Sequence, residues 1–278
     1  MSEAAVTAQE KVGSIATAPD RTIAYRRVDP APGTRLPEVV FVGGYMSDMT
    51  GRKAEALALT CAARGQGFLR FDHYAHGTSS GSIEHGTIGG WADDAVAVLD
   101  RLTHGPLVIV GSSMGAWIML LAALKRPERV HALLGVAAAP DFTEELVWKT
   151  YSREEQDKLM REGRIVETSP YGERPYIFTR ELIEDGRRNL LLNPERMSGP
   201  IPITAPVRLI HGIADCDVPY KTSLRLAERL ETPDVVVTLV KDADHRLSRE
   251  QDLALIDATV MEMSGYAPAA SSAASPAR

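Results

Sequence analysis

Leu107-Val108-Ile109-Val110-Gly111-Ser112-Ser113-Met114-Gly115-Ala116-Trp117-Ile118-Met119-Leu120-Leu121 decides how this chain folds. The first four residues are an apolar, largely β-branched run, the composition of a buried strand. From Ala116 to Leu124 apolar residues continue in the pattern of a helix. Between them, Gly111-Ser112-Ser113-Met114-Gly115 places Gly-x-Ser-x-Gly directly at a strand-to-helix junction. Such a turn is too tight for side chains beside the serine, so both flanking positions are glycine. Ser113 is thereby held out at the top of a sheet, at a helix N-terminus that favours developing negative charge. Ser113 is the candidate nucleophile.

Outward from this turn, strands and helices alternate. Strands are expected at Val12 to Thr17, Thr22 to Val28, Glu38 to Val42, Gly67 to Phe71 and Val130 to Ala138, then at Pro206 to Ile210 and Val235 to Val240. Helices are expected at Lys53 to Arg64, Trp91 to Leu102, Ser223 to Leu230 and Arg249 to Met263. This order implies an α/β protein with a mainly parallel sheet covered by helices on both faces. From Pro140 to Pro202 the alternation breaks into a charged, mostly helical stretch, far longer than an ordinary connection. It reads as a small helical cap (140–202) on a core made of 11–139 and 203–264. Ligands of open α/β sheets bind beyond the carboxyl ends of the strands, where such a cap would sit. Residues 1–10 are small and polar, 265–278 are rich in Ala, Ser and Pro, and both read as flexible termini.

Bulk properties remove several function classes. Of 278 residues, 44% are hydrophobic and 24% charged, as in an ordinary globular protein. A net charge of -6 with scattered Lys and Arg argues against nucleic-acid binding. Two cysteines, Cys61 and Cys216, do not make a disulfide framework and fit a reducing compartment. No apolar run reaches the roughly 18 residues of a bilayer span, so stable membrane insertion is not expected. Met1-Ser2-Glu3-Ala4-Ala5 lacks a secretory pattern, and its early acid weakens a mitochondrial presequence. A cytoplasmic location is the expectation.

A serine hydroxyl needs a base to take its proton and an acid to orient that base. On strand–turn–helix nucleophiles of this kind the chain order is Ser, Asp or Glu, His. The sequence supplies Asp215 in His211-Gly212-Ile213-Ala214-Asp215-Cys216-Asp217-Val218-Pro219, after a buried strand, with Asp217 as competitor. It supplies His245 in Asp244-His245-Arg246, after the last strand and 30 residues beyond Asp215. His211 is expected to close its strand beside the acid loop. The loop histidines His73, His76 and His85 have no metal-ligand spacing, so neither a metal nor another cofactor is expected. An oxyanion hole requires two backbone N–H donors. Met114 supplies one, and Gly43-Gly44-Tyr45, after the Val39 to Val42 strand, supplies the other at Tyr45.

With these residues placed, the chain resembles the α/β-hydrolase superfamily over nearly its whole length. More narrowly it is similar to the branch that contains a mitochondrial palmitoyl-protein thioesterase, which also hydrolyses acyl glucuronides. The matching stretches are Gly43-Gly44-Tyr45-Met46-Ser47-Asp48-Met49-Thr50-Gly51, Arg70-Phe71-Asp72, the Ser113 turn, Pro206-Val207-Arg208-Leu209-Ile210-His211-Gly212 and Asp244-His245-Arg246. Departures are Gly43-Gly44 where His-Gly is common, and Ala75 where a glycine usually follows the Asp72 strand. The cap matches only loosely, and the start lacks that relative's targeting extension.

The resemblance implies Ser113 as nucleophile, Asp215 as acid and His245 as base, acting on an ester or thioester of a small-molecule or acylated substrate. Trp148, Tyr151, Tyr171, Tyr176 and Phe178 of the cap are candidates to line the acyl pocket or to build the cap's own core. The same three groups also serve carbon–carbon bond or amide hydrolysis and acyl transfer, and the fold also serves as a non-turnover ligand receptor.

Overall fold

The computed structural model describes residues 10–169 and 175–265. Eight strands form one sheet in the order β1-β2-β4-β3-β5-β6-β9-β10. They are β1 (Lys11–Ala18), β2 (Arg21–Val28), β3 (Glu38–Val42), β4 (Phe68–Phe71), β5 (Leu107–Ser112), β6 (Val130–Val136), β9 (Val207–Gly212) and β10 (Val235–Val240). The first two strands pair antiparallel at one edge, and the remaining six are parallel. Each parallel step is made by a crossover through a helix, which covers a face of the sheet. The helices are α1 (Arg52–Ala63), α2 (Ile88–Leu102), α3 (Met114–Lys125), α6 (Lys221–Arg229) and α7 (Glu250–Met263).

Strand side chains alternate between the two faces. Val40, Val42, Ile109 and Leu133 pack toward α2 and α3; Val39, Phe41, Val108 and Val110 pack toward α1 and α7. Both sets are buried, so the central strands read as continuous apolar runs rather than alternating ones. Helix α3 is buried from Met114 through Ala123, and its apolar residues accordingly run all the way round.

Element boundaries depart from the sequence expectation where a local group overrides the pattern. Helix α2 starts at Ile88 rather than Trp91, because the Thr87 hydroxyl caps it by accepting the Gly90 N–H at 3.1 Å. Strand β6 ends at Val136, two residues early, where Ala137 turns at φ +48°.

The segment between β6 and β9 is less helical than expected. It holds a π-helical turn (Thr143–Val147), α4 (Arg153–Glu162) and α5 (Arg180–Arg188). Between these helices lies an antiparallel ribbon of β7 (Arg164–Glu167) and β8 (Tyr176–Thr179). Gly163, at φ +83°, ends α4 and turns the chain into β7. Asp141, buried at the root of this insertion, accepts the N–H groups of Leu191 and Leu192 at 2.7 Å each, tying its entry to its exit.

Candidate active site

Ser113 stands between β5 and α3 with φ +56° and ψ -123°, a backbone conformation that costs a non-glycine residue of order 1–3 kcal/mol. The two flanking glycines are required by close approach. A Cβ on Gly115 would lie 2.1 Å from the Val42 carbonyl oxygen, and one on Gly111 would lie 2.5 Å from the Ala116 Cα. The backbone is thus pressed against β3 on one side and its own helix on the other, and the serine is pushed outward.

The structure brings Ser113, His245 and Asp215 into one hydrogen-bonded line. Ser113 Oγ lies 3.0 Å from His245 Nε2, and His245 Nδ1 lies 2.8 Å from Asp215 Oδ2. The carboxylate can only accept, so Nδ1 carries the proton and Nε2 is free to accept from the serine hydroxyl. Asp215 Oδ1 accepts the N–H groups of Asp217 and Val218 at 2.9 and 2.8 Å. Burial pushes the Asp215 carboxyl up, but bonds from His211, His245 and the Val218 N–H outweigh it and hold the group well below the usual carboxylate range. Asp217 is exposed and lies outside this line, although it shares the neighbourhood.

His211 is fully buried and does more than close its strand. Its Nε2 faces both Asp215 Oδ2 at 3.1 Å and the Val218 carbonyl at 3.0 Å, while Nδ1 faces Ser223 Oγ at 2.7 Å. It shares Asp215 Oδ2 with His245 and so helps to fix the carboxylate. The four-residue spacing from His211 to Asp215 is the signal that marks it.

The loop after β3 lies against Ser113: a Cβ on Gly44 would sit 3.3 Å from Ser113 Cβ and 3.9 Å from its Oγ. Among the described residues no protein acceptor takes the N–H of Tyr45 or of Met114. The loop is pinned from the core side by the segment after β4. His73 Nε2 donates to the Gly43 carbonyl at 3.0 Å, and the Met46 N–H donates to His76 Nε2 at 3.0 Å. His76 Nδ1 donates to the Tyr74 carbonyl at 2.9 Å. Asp72 Oδ1 accepts the Met49 N–H at 2.7 Å, and Arg70 donates to the Met49 carbonyl at 2.9 Å. Burial pushes His73 down to about 3 and lowers His76 as well, so both rings stay neutral and keep these roles. Composition and spacing could not show this clasp, because the contacts join segments 21 to 30 residues apart.

A cavity of about 770 Å³ opens over Ser113 and His245. Tyr151, Tyr176 and Phe178 line it, together with Tyr45 and Phe142. Trp148 does not: it packs half-buried against the core cluster, with the Arg187 guanidinium stacked over its ring at 4.4 Å. Tyr171 lies outside the described residues. The Tyr45 ring stacks on Phe178 (centroids 5.6 Å apart, 15° between planes), and its hydroxyl donates to the Ile177 carbonyl of β8. His85 stands apart, on a short helical turn before α2.

Among the described residues no helix is long and apolar enough to cross a membrane. A family model described as alpha/beta hydrolase fold matches residues 39–161. The mouse "Palmitoyl-protein thioesterase ABHD10, mitochondrial" is 37% identical over 244 residues, 87% of this chain and 78% of the relative. The solved structure of mouse alpha/beta hydrolase domain-containing protein 10 superposes with a TM-score of 0.81 at 34% identity, covering 91% of this chain and 98% of that one. A putative hydrolase from Agrobacterium vitis S4 gives a TM-score of 0.85 at 39% identity, covering 92% and 98%. The word mitochondrial in the relatives' name stands against a plainly cytoplasmic location. An eight-stranded, mainly parallel sheet, a serine on a strained strand-to-helix turn and these likenesses converge: the chain belongs to the α/β-hydrolase superfamily, in the branch of the ABHD10 thioesterases.

Proposed function

We propose that the chain is a serine hydrolase of carboxylic thioesters or esters that works through an acyl-enzyme. The observation that carries this reading is the line from Ser113 Oγ to His245 Nε2 to Asp215, 3.0 and 2.8 Å, set on a backbone strained to present the serine. Ser113 attacks the acyl carbonyl while His245 Nε2 takes its proton, and Asp215 holds the imidazole in the Nδ1–H tautomer and stabilises the imidazolium. The N–H groups of Tyr45 and Met114 receive the oxyanion, a contact worth about 3 kcal/mol per donor. His245 then returns the proton to the leaving sulfur or oxygen. In the second half a water, deprotonated by the same nitrogen, attacks the acyl-serine and releases the acid.

The acyl group fits on the insertion side of Ser113, among Phe142, Tyr176 and Phe178. The thioesterase name borne by the mouse relative favours thioesters first. Replacement Ser113→Ala tests the reading: hydrolysis of S-octanoyl thioesters and p-nitrophenyl octanoate is lost, along with labelling by a fluorophosphonate, while the circular dichroism spectrum is unchanged. Full activity in that variant rejects it. A panel of thioester, ester, amide and β-diketone substrates assigns the bond that the wild type cleaves.

A further inference from the structure

Beside His245 the cavity wall changes character. Arg52, Lys53 and Arg246 line it there, together with Thr50 and Ser248. Lys53 Nζ donates to the carbonyl oxygen of Arg246, the residue next to His245. Among the described residues neither Lys53 nor Arg52 forms an ion pair with a carboxylate. Asp48, which shares this wall, turns its Oδ1 to the Thr50 N–H and hydroxyl. The contrast with Arg249 is direct, since its guanidinium forks onto Asp242 at 2.7 Å and Asp252 at 2.8 Å.

Arg52 and Lys53 also open helix α1, where the helix dipole disfavours cations. Burial, with Arg246 close by, pushes the Lys53 ammonium down to about 8, against the opposing pull of the Asp244 and Asp252 carboxylates.

We infer that this wall binds an anion carried by the leaving group, and that the anion is a phosphate monoester. The inference rests on the serine-hydrolase reading, because that reading puts the leaving atom within hydrogen-bond reach of His245 Nε2. The anion site is reached through the adjoining residue, so the phosphate stands a few bonds from the scissile bond rather than at the end of a long arm. Charge selects phosphate over carboxylate. Two unpaired cations balance a group carrying about -1.5 to -2 at neutral pH, whereas a carboxylate would leave one unmatched. Arg52 and Lys53 offer several N–H donors to the phosphate oxygens.

Three matched thioesters test it: S-octanoyl derivatives of 2-mercaptoethyl phosphate, 3-mercaptopropionate and 2-mercaptoethanol. The wild type is expected to show kcat/KM at least about tenfold higher for the phosphate than for the uncharged thioester, mainly through KM, as charge-assisted hydrogen bonds predict. In Lys53→Gln the phosphate-to-uncharged ratio falls toward one, and in Arg52→Gln, an exposed position, it falls part of the way. Raising the salt concentration lowers the same ratio. Equal kcat/KM on all three substrates overturns the inference. So does a preference for the carboxylate over the phosphate, or an unaltered ratio in both variants. If Lys53→Gln does not fold, the ratio in Arg52→Gln decides. Failure of the underlying reading looks different: none of the three thioesters is then cleaved, or Ser113→Ala still cleaves them.

Discussion

Replacing His211 with leucine separates what positions the acid from what performs the chemistry. His211 makes three buried contacts: to Asp215 Oδ2 at 3.1 Å, to the Val218 carbonyl at 3.0 Å and to Ser223 Oγ at 2.7 Å. Losing the bond to the ionised carboxylate costs about 1.5–3 kcal/mol, and leaving the two neutral partners unsatisfied costs about 1 kcal/mol each. The added apolar burial of leucine returns about 1 kcal/mol. The expected net loss is about 2.5–4 kcal/mol, a substantial fraction of a typical stability of about 5–15 kcal/mol. Catalysis suffers less. Asp215 keeps His245 Nδ1–H and the N–H groups of Asp217 and Val218. The fall in kcat/KM is therefore expected to stay within about tenfold, against about ten-thousand-fold for Asp215→Asn, which favours the wrong imidazole tautomer. The sign of the pH effect follows from the Asp215 carboxyl lying below its ordinary 3.8 when folded. Its contribution to stability is complete above that value and is lost as pH falls toward the folded one. Removing His211 lifts the folded value, so acid unfolding begins at a higher pH. Urea unfolding at pH 7 and pH 3, with thioester kinetics at pH 7 on the same preparations, reads all three effects. A stability loss below about 1 kcal/mol, or a rate loss equal to that of Asp215→Asn, refutes the reasoning.

Two further perturbations follow from backbone strain and from burial. Ser113→Gly removes a side chain held at φ +56°, and relief of that strain exceeds the entropy glycine adds to the unfolded chain, so Tm should rise by about 2–4 °C while hydrolysis vanishes. A lower Tm, read by scanning calorimetry, would show the turn to be unstrained. Burial lifts the Asp141 carboxyl from 3.8 to about 6. A folded value above the unfolded one means that its contribution to stability is full below pH 3.8 and is lost as pH rises through about 6. The Tm of the wild type minus that of Asp141→Ala should therefore shrink between pH 4 and pH 7.5, and a constant difference removes the assignment.

The parts of the fold that were legible in sequence are those made by local patterns. Buried parallel strands need apolar residues on both faces, so Val39–Val42 and Leu107–Val110 stand out as runs. The Gly-x-Ser-x-Gly turn is legible because close approach to Val42 and Ala116 forbids anything larger at Gly115 and Gly111. The ribbon of β7 and β8 was not legible. Arg164-Ile165-Val166-Glu167 is short and half-exposed, and it follows a charged helix that it continues in composition. The start of α2 was hidden because Gly89-Gly90 reads as a loop until Thr87 is seen to cap it. For His73 and His76 sequence shows only residues of an unassigned type, and for His211 only its place at a strand end, four residues before Asp215. Their work depends on which carbonyl or N–H the fold brings opposite each ring nitrogen.

The same distinction explains why the chemistry can be read further than the substrate. The loop that carries the Tyr45 N–H is held to the core at Gly43, at Met46 and at both ends of the Met49 peptide, all by residues from Arg70 to His76. The insertion touches this loop through the Tyr45 side chain, by its stack on Phe178 and its hydroxyl on Ile177. A change in the insertion therefore pulls on an aromatic ring, while the backbone that faces Ser113 stays anchored by four hydrogen bonds made elsewhere. The insertion can in this way reshape the acyl side of the cavity without moving the groups around the serine. Its sequence is correspondingly free to vary with substrate, whereas the Ser113 turn, the Asp215 loop and the His73–His76 clasp are each fixed by contacts that tolerate little change.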